Sequence, residues 1–397
     1  MANITLNSST YAGYFSDVTL AASVLGARTI EQGYISLHTN VDDKYTVVFC
    51  DSDVAIEDAN GTFSSSSTAD LSEIKFELGK YMINAEIDYK NLDNFWLASQ
   101  QPRGAAGDYV APASLEDALN QHFAQKASLF VGASIWSGSA LAVSQFGSSQ
   151  GISQGGSNSV TGLIDTMLAD SSVVDIAVGG TYKQTITGFS KAADAIITVA
   201  DTSDYAVGDK ITFEGLAGSA SWTALNGTTV AIKSIPSATT LTIETDTSTF
   251  TGTYTASSGS LTCINKNNVV NAFEEVYRNM SDSIRLAPDT VFYVPSRVAA
   301  AYKLKQAEAA YSPNVYSQDY ELSFLGYRVL EIPEMRNNAV VCSRIASMHF
   351  ATPLISDLNQ VLIVDQSTTS ASRTIRYRLD FAFDVAISDG KNITLLS

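Results

Sequence analysis

The sequence is poor in cysteine. Its 397 residues hold three, Cys50, Cys263 and Cys342, odd in number, far apart and without any C-x-x-C pair. That excludes a disulfide framework or a zinc ribbon and fits a reducing cytosol. It is also poor in charge. Only 16% of residues are charged, and Lys plus Arg number 24 against 41 Asp plus Glu, a net charge of −17. A surface that grips phosphate needs the opposite balance. The same balance does not exclude a wall around DNA, because a wall that repels phosphate lets packed DNA slide. Long apolar runs are missing: none approaches the roughly 20 residues of a membrane-spanning helix. The first residues, MANITLNSSTYAGYFSD, carry neither a basic n-region nor an apolar h-region, so no signal peptide is expected there. No P-loop, H-E-x-x-H or G-x-G-x-x-G occurs.

What is present is a polar, foldable chain. Hydrophobic residues make up 45%, enough to bury cores in two or three domains. Asn-x-Ser/Thr matches such as Asn226-Gly227-Thr228 are chance in so Asn-, Ser- and Thr-rich a chain. Residues 1–33 have no clear period and read as an extended arm or short helix with loops, ordered by neighbours. Tyr45–Phe49 and Ile74–Leu78 are apolar stretches separated by an acidic, Ser-rich segment with the turn pair Asn60-Gly61, which predicts a long β-hairpin. Ser114 is a good N-cap, Glu116 and Asp117 follow in the first turn, and Leu115, Leu119, Phe123, Ala127 and Phe130 recur at helical spacing. A helix over 114–131 is expected, then a Gly/Ser/Gln flexible stretch over 147–159.

Residues 183–262 differ in texture. Thr is frequent and short alternating strands are expected at 196–199, 210–213, 230–232 and 240–243, with turns at Gly208-Asp209, Asn226-Gly227 and Pro236-Ser237. No helical period appears, so a small β-sandwich or barrel is expected, interrupting its host. Leu163–Met167 before it reads as helical. After it, Asn267 is the expected cap of a helix whose one face carries Val269, Val270, Phe273, Val276, Tyr277 and Met280. From 288 the pattern is α/β: strand Val291–Val294, a helix from Ser296 to about Ala310, then apolar stretches Phe324–Leu330, Ala339–Cys342 and Val361–Val364. Ile375, Tyr377, Leu379, Phe381, Phe383, Val385 and Ile387 alternate with Arg376, Arg378, Asp380 and Asp384 and predict one unusually long strand.

The stretch APDTVFYVPSRVAAAYKLKQAEA followed by ELSFLGYRVLEIP, and the terminal Arg376–Ile387 strand, carry a resemblance to the major capsid proteins of tailed bacteriophages. The order of elements resembles the Hong Kong 97-type capsid fold, an α+β architecture, over nearly the whole chain outside 183–262. The resemblance implies an N-terminal arm (1–33), an E-loop β-hairpin (34–90), a spine helix with part of a P domain (91–155), part of an A domain (156–182), an inserted immunoglobulin-like β-module (183–262), the rest of the A domain (263–352) and P-domain closing strands (353–397). Val207–Phe213 and Leu225-Asn226-Gly227 suggest the module's type. Two features depart from simpler members: the insertion, and no visible scaffolding segment.

The resemblance implies a shell protein, not an enzyme. It implies homo-pentamers and homo-hexamers that enclose double-stranded DNA, and a place in the virion after assembly in the host cytoplasm. Partners would be portal and scaffolding, decoration or auxiliary capsid proteins; no cofactor, metal or membrane is implied. Extended ribbons suit this task because they reach neighbours and add strands to foreign sheet edges. The expected inter-subunit contacts are Lys44, Glu57, Asp58, Glu73 and Lys75 on the hairpin, Tyr311 and Tyr316 on a loop toward the ring axis, and Arg376 and Arg378. The two arginines would pair with Glu57, Asp58 or Glu73, or else lie on a solvated strand face. A Lys–Asn weld, as in some members, would join Lys44, Lys75 or Lys80 to Asn392, though no motif marks it.

Sharper chemical readings are weaker than bland ones. Gly147-Ser148-Ser149-Gln150-Gly151 matches the G-x-S-x-G elbow, but its flanks are not strand and helix, and His38, His122 and His349 sit in no triad-like context. His122 reads as a polar-face histidine. Asp42 and Asp43 are adjacent and point apart in a strand, and Asp51 with Asp53 lacks calcium-loop spacing. The competing function is another phage structural or surface-binding protein, a tail or adhesin component, with the β-module as its recognition unit.

Overall fold

The computed structural model describes residues 27–41, 44–53, 68–88, 113–143, 152, 159–176, 178–308, 321–353, 361–365 and 374–397. It is a mixed α+β architecture built on three sheets and a separate two-stranded ribbon.

Strand Thr374–Ile387 organises the first sheet, as its alternation requires. Tyr377, Leu379, Phe381, Phe383 and Val385 are all buried, while Arg376 and Arg378 are exposed. Gly79–Asp88 pairs with it antiparallel from Phe383↔Gly79 to Thr374↔Asp88, and Val361–Asp365 pairs on its opposite edge. Its last residues pair with Met348–Ala351, which in turn holds Ser36–His38 in parallel. Helix Ala113–Ser137 crosses the buried face. Phe123 stacks on Tyr377 at 4.5 Å between ring centroids, and Phe130 meets Phe381, Phe383 and Tyr81 edge-on. The helix outruns the expected 114–131 because every residue from Phe130 to Ser137 is buried. A helix covered on all sides carries no amphipathic period, so its end is invisible to a period search.

The last residues of the expected arm, 27–33, pack against their own chain. Residues 1–26 lie outside the described residues, but Ala27, Thr29 and Ile30 are buried, and Trp136 Nε1 donates to Thr29 Oγ1 at 3.1 Å. That segment is held by its own chain.

The second sheet is six-stranded and mixed. Thr290–Pro295, buried throughout, pairs in parallel with Tyr327–Ile332 and antiparallel with Val340–Arg344; Ile393–Leu396 and Val174–Asp175 complete one side. Helix Ser296–Ala307 makes the crossover. Helix Val269–Asn279 covers the sheet with Val269, Phe273 and Val276 fully buried. Its N-cap is Asn268, not Asn267: the Asn268 carboxamide accepts from Asn265 N and donates to Cys263 O, fastening the entry turn. Phe324–Leu330, read as one strand, is a hairpin. Leu325 and Gly326 have φ of 48° and 91°, a pair of left-handed residues that makes a tight turn between Ser323–Phe324 and Tyr327–Ile332. Nor does a break at 352/353 separate the sheets. Met348–Ala351 belongs to the first, whereas Ile393–Leu396 returns to the second, where all four of its side chains are buried.

Residues 183–262 contain a seven-stranded sheet with a hydrophobic cluster of its own, including Ile197, Ile211, Phe213, Leu241, Ile243 and Leu261. A short helix, Ala220–Thr223, which the all-strand reading lacked, inserts Trp222 as a buried side chain.

Candidate functional site

Strands Lys44–Asp53 and Thr68–Glu77 pair antiparallel in unbroken register from Lys44↔Glu77 to Asp53↔Thr68, and pair with no other strand among the described residues. The second strand continues through Leu78 into Gly79–Asp88, so one extended run belongs first to the ribbon and then to the sheet. Alternation gives the ribbon two faces. Phe76 and Ile74, opposite Tyr45 and Val47, are buried in a small cluster with Val41 and Ala351, flanked by Leu78 and Ala386. Thr46, Val48, Glu73 and Lys75 face outward and are exposed, Val48 to 55%. At its root the ribbon is therefore packed on one face and exposed at Thr46, Val48, Glu73 and Lys75 on the other.

The root is held by polar contacts as well. The Glu77 amide donates to Asp384 Oδ2 at 2.8 Å, and the Val385 amide to Oδ1 at 2.9 Å. Burial pushes the Asp384 carboxyl up despite these donors. His38 Nε2 lies 2.9 Å from His349 Nδ1, a contact between residues 311 positions apart. The His38 ring centroid lies 5.9 Å from Phe76 and 6.2 Å from Tyr45. Burial, and then the neighbouring His38, push His349 down to about 4; burial also lowers His38.

Among the expected contact residues, Glu73 and Lys75 form an exposed pair at 3.4 Å on the outer face of the ribbon. Lys44 opens the ribbon opposite Glu77, its side chain lying outside the described atoms. Glu57, Asp58, Tyr311 and Tyr316 lie outside the described residues. Arg376 does not reach Glu73 within the chain. It pairs with Glu86 across the sheet at 3.1 Å, and Arg378 pairs with Asp380 on its own strand at 2.9 Å. Strand register decides this: Arg376 stands directly opposite Glu86, whereas Glu73 belongs to the ribbon. Lys75 pairs inside the ribbon, Asn392 bonds to Asp389 and Ser283, and Ser149 lies outside the described residues.

The sequence reading missed the histidine pair and the junction beneath the seven-stranded sheet. No local signal marks either, because their partners are distant in the chain. Asn338, fully buried at φ 64°, donates to Lys210 O at 2.7 Å and Thr262 O at 3.0 Å and accepts from Ile264 N at 3.2 Å. Lys183, with a side chain 5% exposed, lies 3.2 Å from Glu214 and 3.4 Å from Asp175. Arg336 is buried against Asp165 at 2.6 Å. A residue larger than glycine at 227 would strike Leu141 and Arg336, so the seven-stranded unit touches the body there. Cys263 and Cys342 are free and buried, and burial pushes both thiols up, which leaves them unreactive. Among the described residues no group of three or more His, Cys, Asp or Glu could hold a metal ion, and no helix is long and apolar enough to cross a membrane.

No protein-family model and no curated protein matches the sequence. Solved structures similar over most of both chains come from capsid particles. One is from the satellite phage P4 procapsid including size determination (Sid) protein, 11% identical, covering 96% of this chain and 98% of that one at a TM-score of 0.49. A second is from the capsid of the native GTA particle, 13% identical, covering 94% and 89% at a TM-score of 0.45. A third is from the capsid of cyanophage P-SCSP1u, 7% identical, covering 92% and 87% at a TM-score of 0.43.

Proposed function

We propose that this chain is the major capsid protein of a tailed phage. Its subunits would close into pentamers and hexamers that form the icosahedral head around double-stranded DNA. The observation that carries the reading is the ribbon Lys44–Asp53/Thr68–Glu77, which pairs with no other strand among the described residues and exposes Thr46, Val48, Glu73 and Lys75 on its outer face. An isolated two-stranded hairpin is marginal in water. A ribbon built this way gains its remaining stability from a surface outside its own chain, and in a shell that surface is a neighbouring copy. The element order resembling the Hong Kong 97-type fold supports the same reading.

On this reading the ribbon is the E-loop, Ala113–Ser137 the spine helix, the six-stranded sheet the A domain, and the sheet around Thr374–Ile387 the P domain. The seven-stranded unit is an inserted, outward-facing β-module. Lys44, Glu73, Lys75, Arg376 and Arg378 contact sibling subunits, as do Glu57, Asp58, Tyr311 and Tyr316. Each contact is weak, and the shell is held by many acting together. Portal, scaffolding and decoration proteins are the further partners, and no catalytic step is assigned.

The test is electron microscopy of the expressed full-length chain beside a variant in which Cys50–Leu71 is replaced by Asn-Gly. Spherical shells or five- and six-fold rings are expected for the first. Dispersed, folded subunits with an unchanged circular-dichroism spectrum are expected for the second. Shells from the shortened variant, or rods and trimers from the full chain, would remove the reading and favour the tail or adhesin alternative.

A further inference from the structure

The ribbon root contains a titratable device that the shell reading neither requires nor explains. His38 lies on the edge strand Ser36–His38, and His349 on the neighbouring strand Met348–Ala351, with Ser36↔His349 and His38↔Ala351 in register. The two imidazoles meet at 2.9 Å between Nε2 and Nδ1. An N···N contact of that length holds one proton between two nitrogens: one ring donates and the other must keep a bare lone pair. The ribbon root packs against the first of the two, with Phe76 and Tyr45 beside the His38 ring.

We propose that His38 and His349 form a proton-operated latch: with one proton between them they tie the edge strand Ser36–His38, against whose His38 ring the ribbon root packs, to Met348–Ala351, and a second proton opens it. The steps follow from the geometry. A first extra proton adds to the outer nitrogen of the donor ring and keeps the N–H···N bond, but places a charge on a ring withdrawn from water. A second occupies the accepting nitrogen, sets N–H against N–H and breaks the contact. Both events oppose burial, which is why each ring holds its proton more weakly than an exposed histidine.

Burial, joined at His349 by the neighbouring His38, sets this direction, and the charged groups nearby do not reverse it. From the Thr374–Ile387 strand, Asp384 and Ala386 share the face of His349, with Ala386 in register with His349 and Ala351 with Asp384. From the ribbon come Tyr45 and the exposed Glu77, whose amide is bound to Asp384. Lys80 stands opposite Ala382, farther along the same face. Asp42, Asp43 and the Lys44 side chain lie outside the described atoms. Because the folded-state affinity for protons is depressed, the stabilisation is complete above the ordinary histidine value of 6.5 and is lost as pH falls toward about 4.

The latch is independent of assembly and is measured on the dispersed full-length chain. With three histidines in the sequence, the imidazole NMR resonances are few, and exposed His122 serves as internal reference. His349 is expected to titrate near 4. Hydrogen-exchange protection of ribbon amides 44–53 and 68–77 is expected to fall at least about tenfold over the same interval, while the strand Thr290–Pro295 keeps its protection. The variant His38→Phe/His349→Phe keeps two rings and has nothing to protonate, so its ribbon stays protected to lower pH. His349→Gln gives the same comparison should the double variant fold poorly. Asp384→Asn should leave the wild-type step in place. The latch is overturned if the ribbon opens at the same pH without the histidines, if Asp384→Asn abolishes the step, or if wild-type protection is flat down to pH 4.

Discussion

The ribbon and the seven-stranded unit are both β-structure, and they are stabilised in opposite ways. The unit over 183–262 closes around its own apolar cluster, with Phe213, Ile211 and Leu241 fully buried, and meets the body through directed polar bonds around Asn338. Among its described side chains the ribbon buries Phe76 and Ile74 at the root and exposes Thr46, Val48, Glu73 and Lys75 on the other face. Two stretches of β-structure can therefore share pairing and differ in what covers their faces. Apolar area removed from water contributes about 25 cal/mol per Å², and a bare ribbon face collects none of it until something docks there.

The sharpest test of that contrast is Phe213→Ala. It should cost about 3–5 kcal/mol and lower the melting of the seven-stranded unit as a calorimetric transition separate from the body. One shared transition, displaced as a whole, would show that the unit is not independent. Next comes Asn338→Ala, which strands Lys210 O, Thr262 O and Ile264 N at the junction and should cost about 2–3 kcal/mol in chemical denaturation. Asn338→Gly relieves the backbone at φ 64° but also lacks the carboxamide. An equal loss assigns the effect to the hydrogen bonds, whereas recovery assigns it to backbone strain. The smallest global effect belongs to Phe76→Ala. Only the ribbon should open, so the body's unfolding free energy should move by less than about 1 kcal/mol while ribbon amides lose protection. If Phe76→Ala lowers global stability as much as Phe213→Ala does, the ribbon belongs to the core and the contrast fails.

Much of this architecture was legible before any coordinates. The alternation marked the strand Thr374–Ile387 because Tyr377, Leu379, Phe381, Phe383 and Val385 are buried on one face while Arg376 and Arg378 are exposed on the other. Val269, Phe273 and Val276 marked a helix for the same reason, and strands expected within 183–262 fall in one seven-stranded sheet. The failures share a cause. The buried end of Ala113–Ser137 has no wet face, so nothing signals where it stops. The Leu325–Gly326 turn interrupts what looks like a continuous apolar strand, because a left-handed leucine is not signalled by its side chain.

By itself the sequence determined where strands and helices form along much of the described chain and where their apolar faces lie, because local alternation and turn residues act over a few neighbouring positions. Only the tertiary structure decided which faces meet. It brought His38 to His349, set Asn338 beneath the seven-stranded sheet and gave Arg376 to Glu86, since those contacts depend on strand pairing between residues far apart in the chain. Pairing of that kind is fixed by the packing of the whole molecule, which no short window of sequence contains.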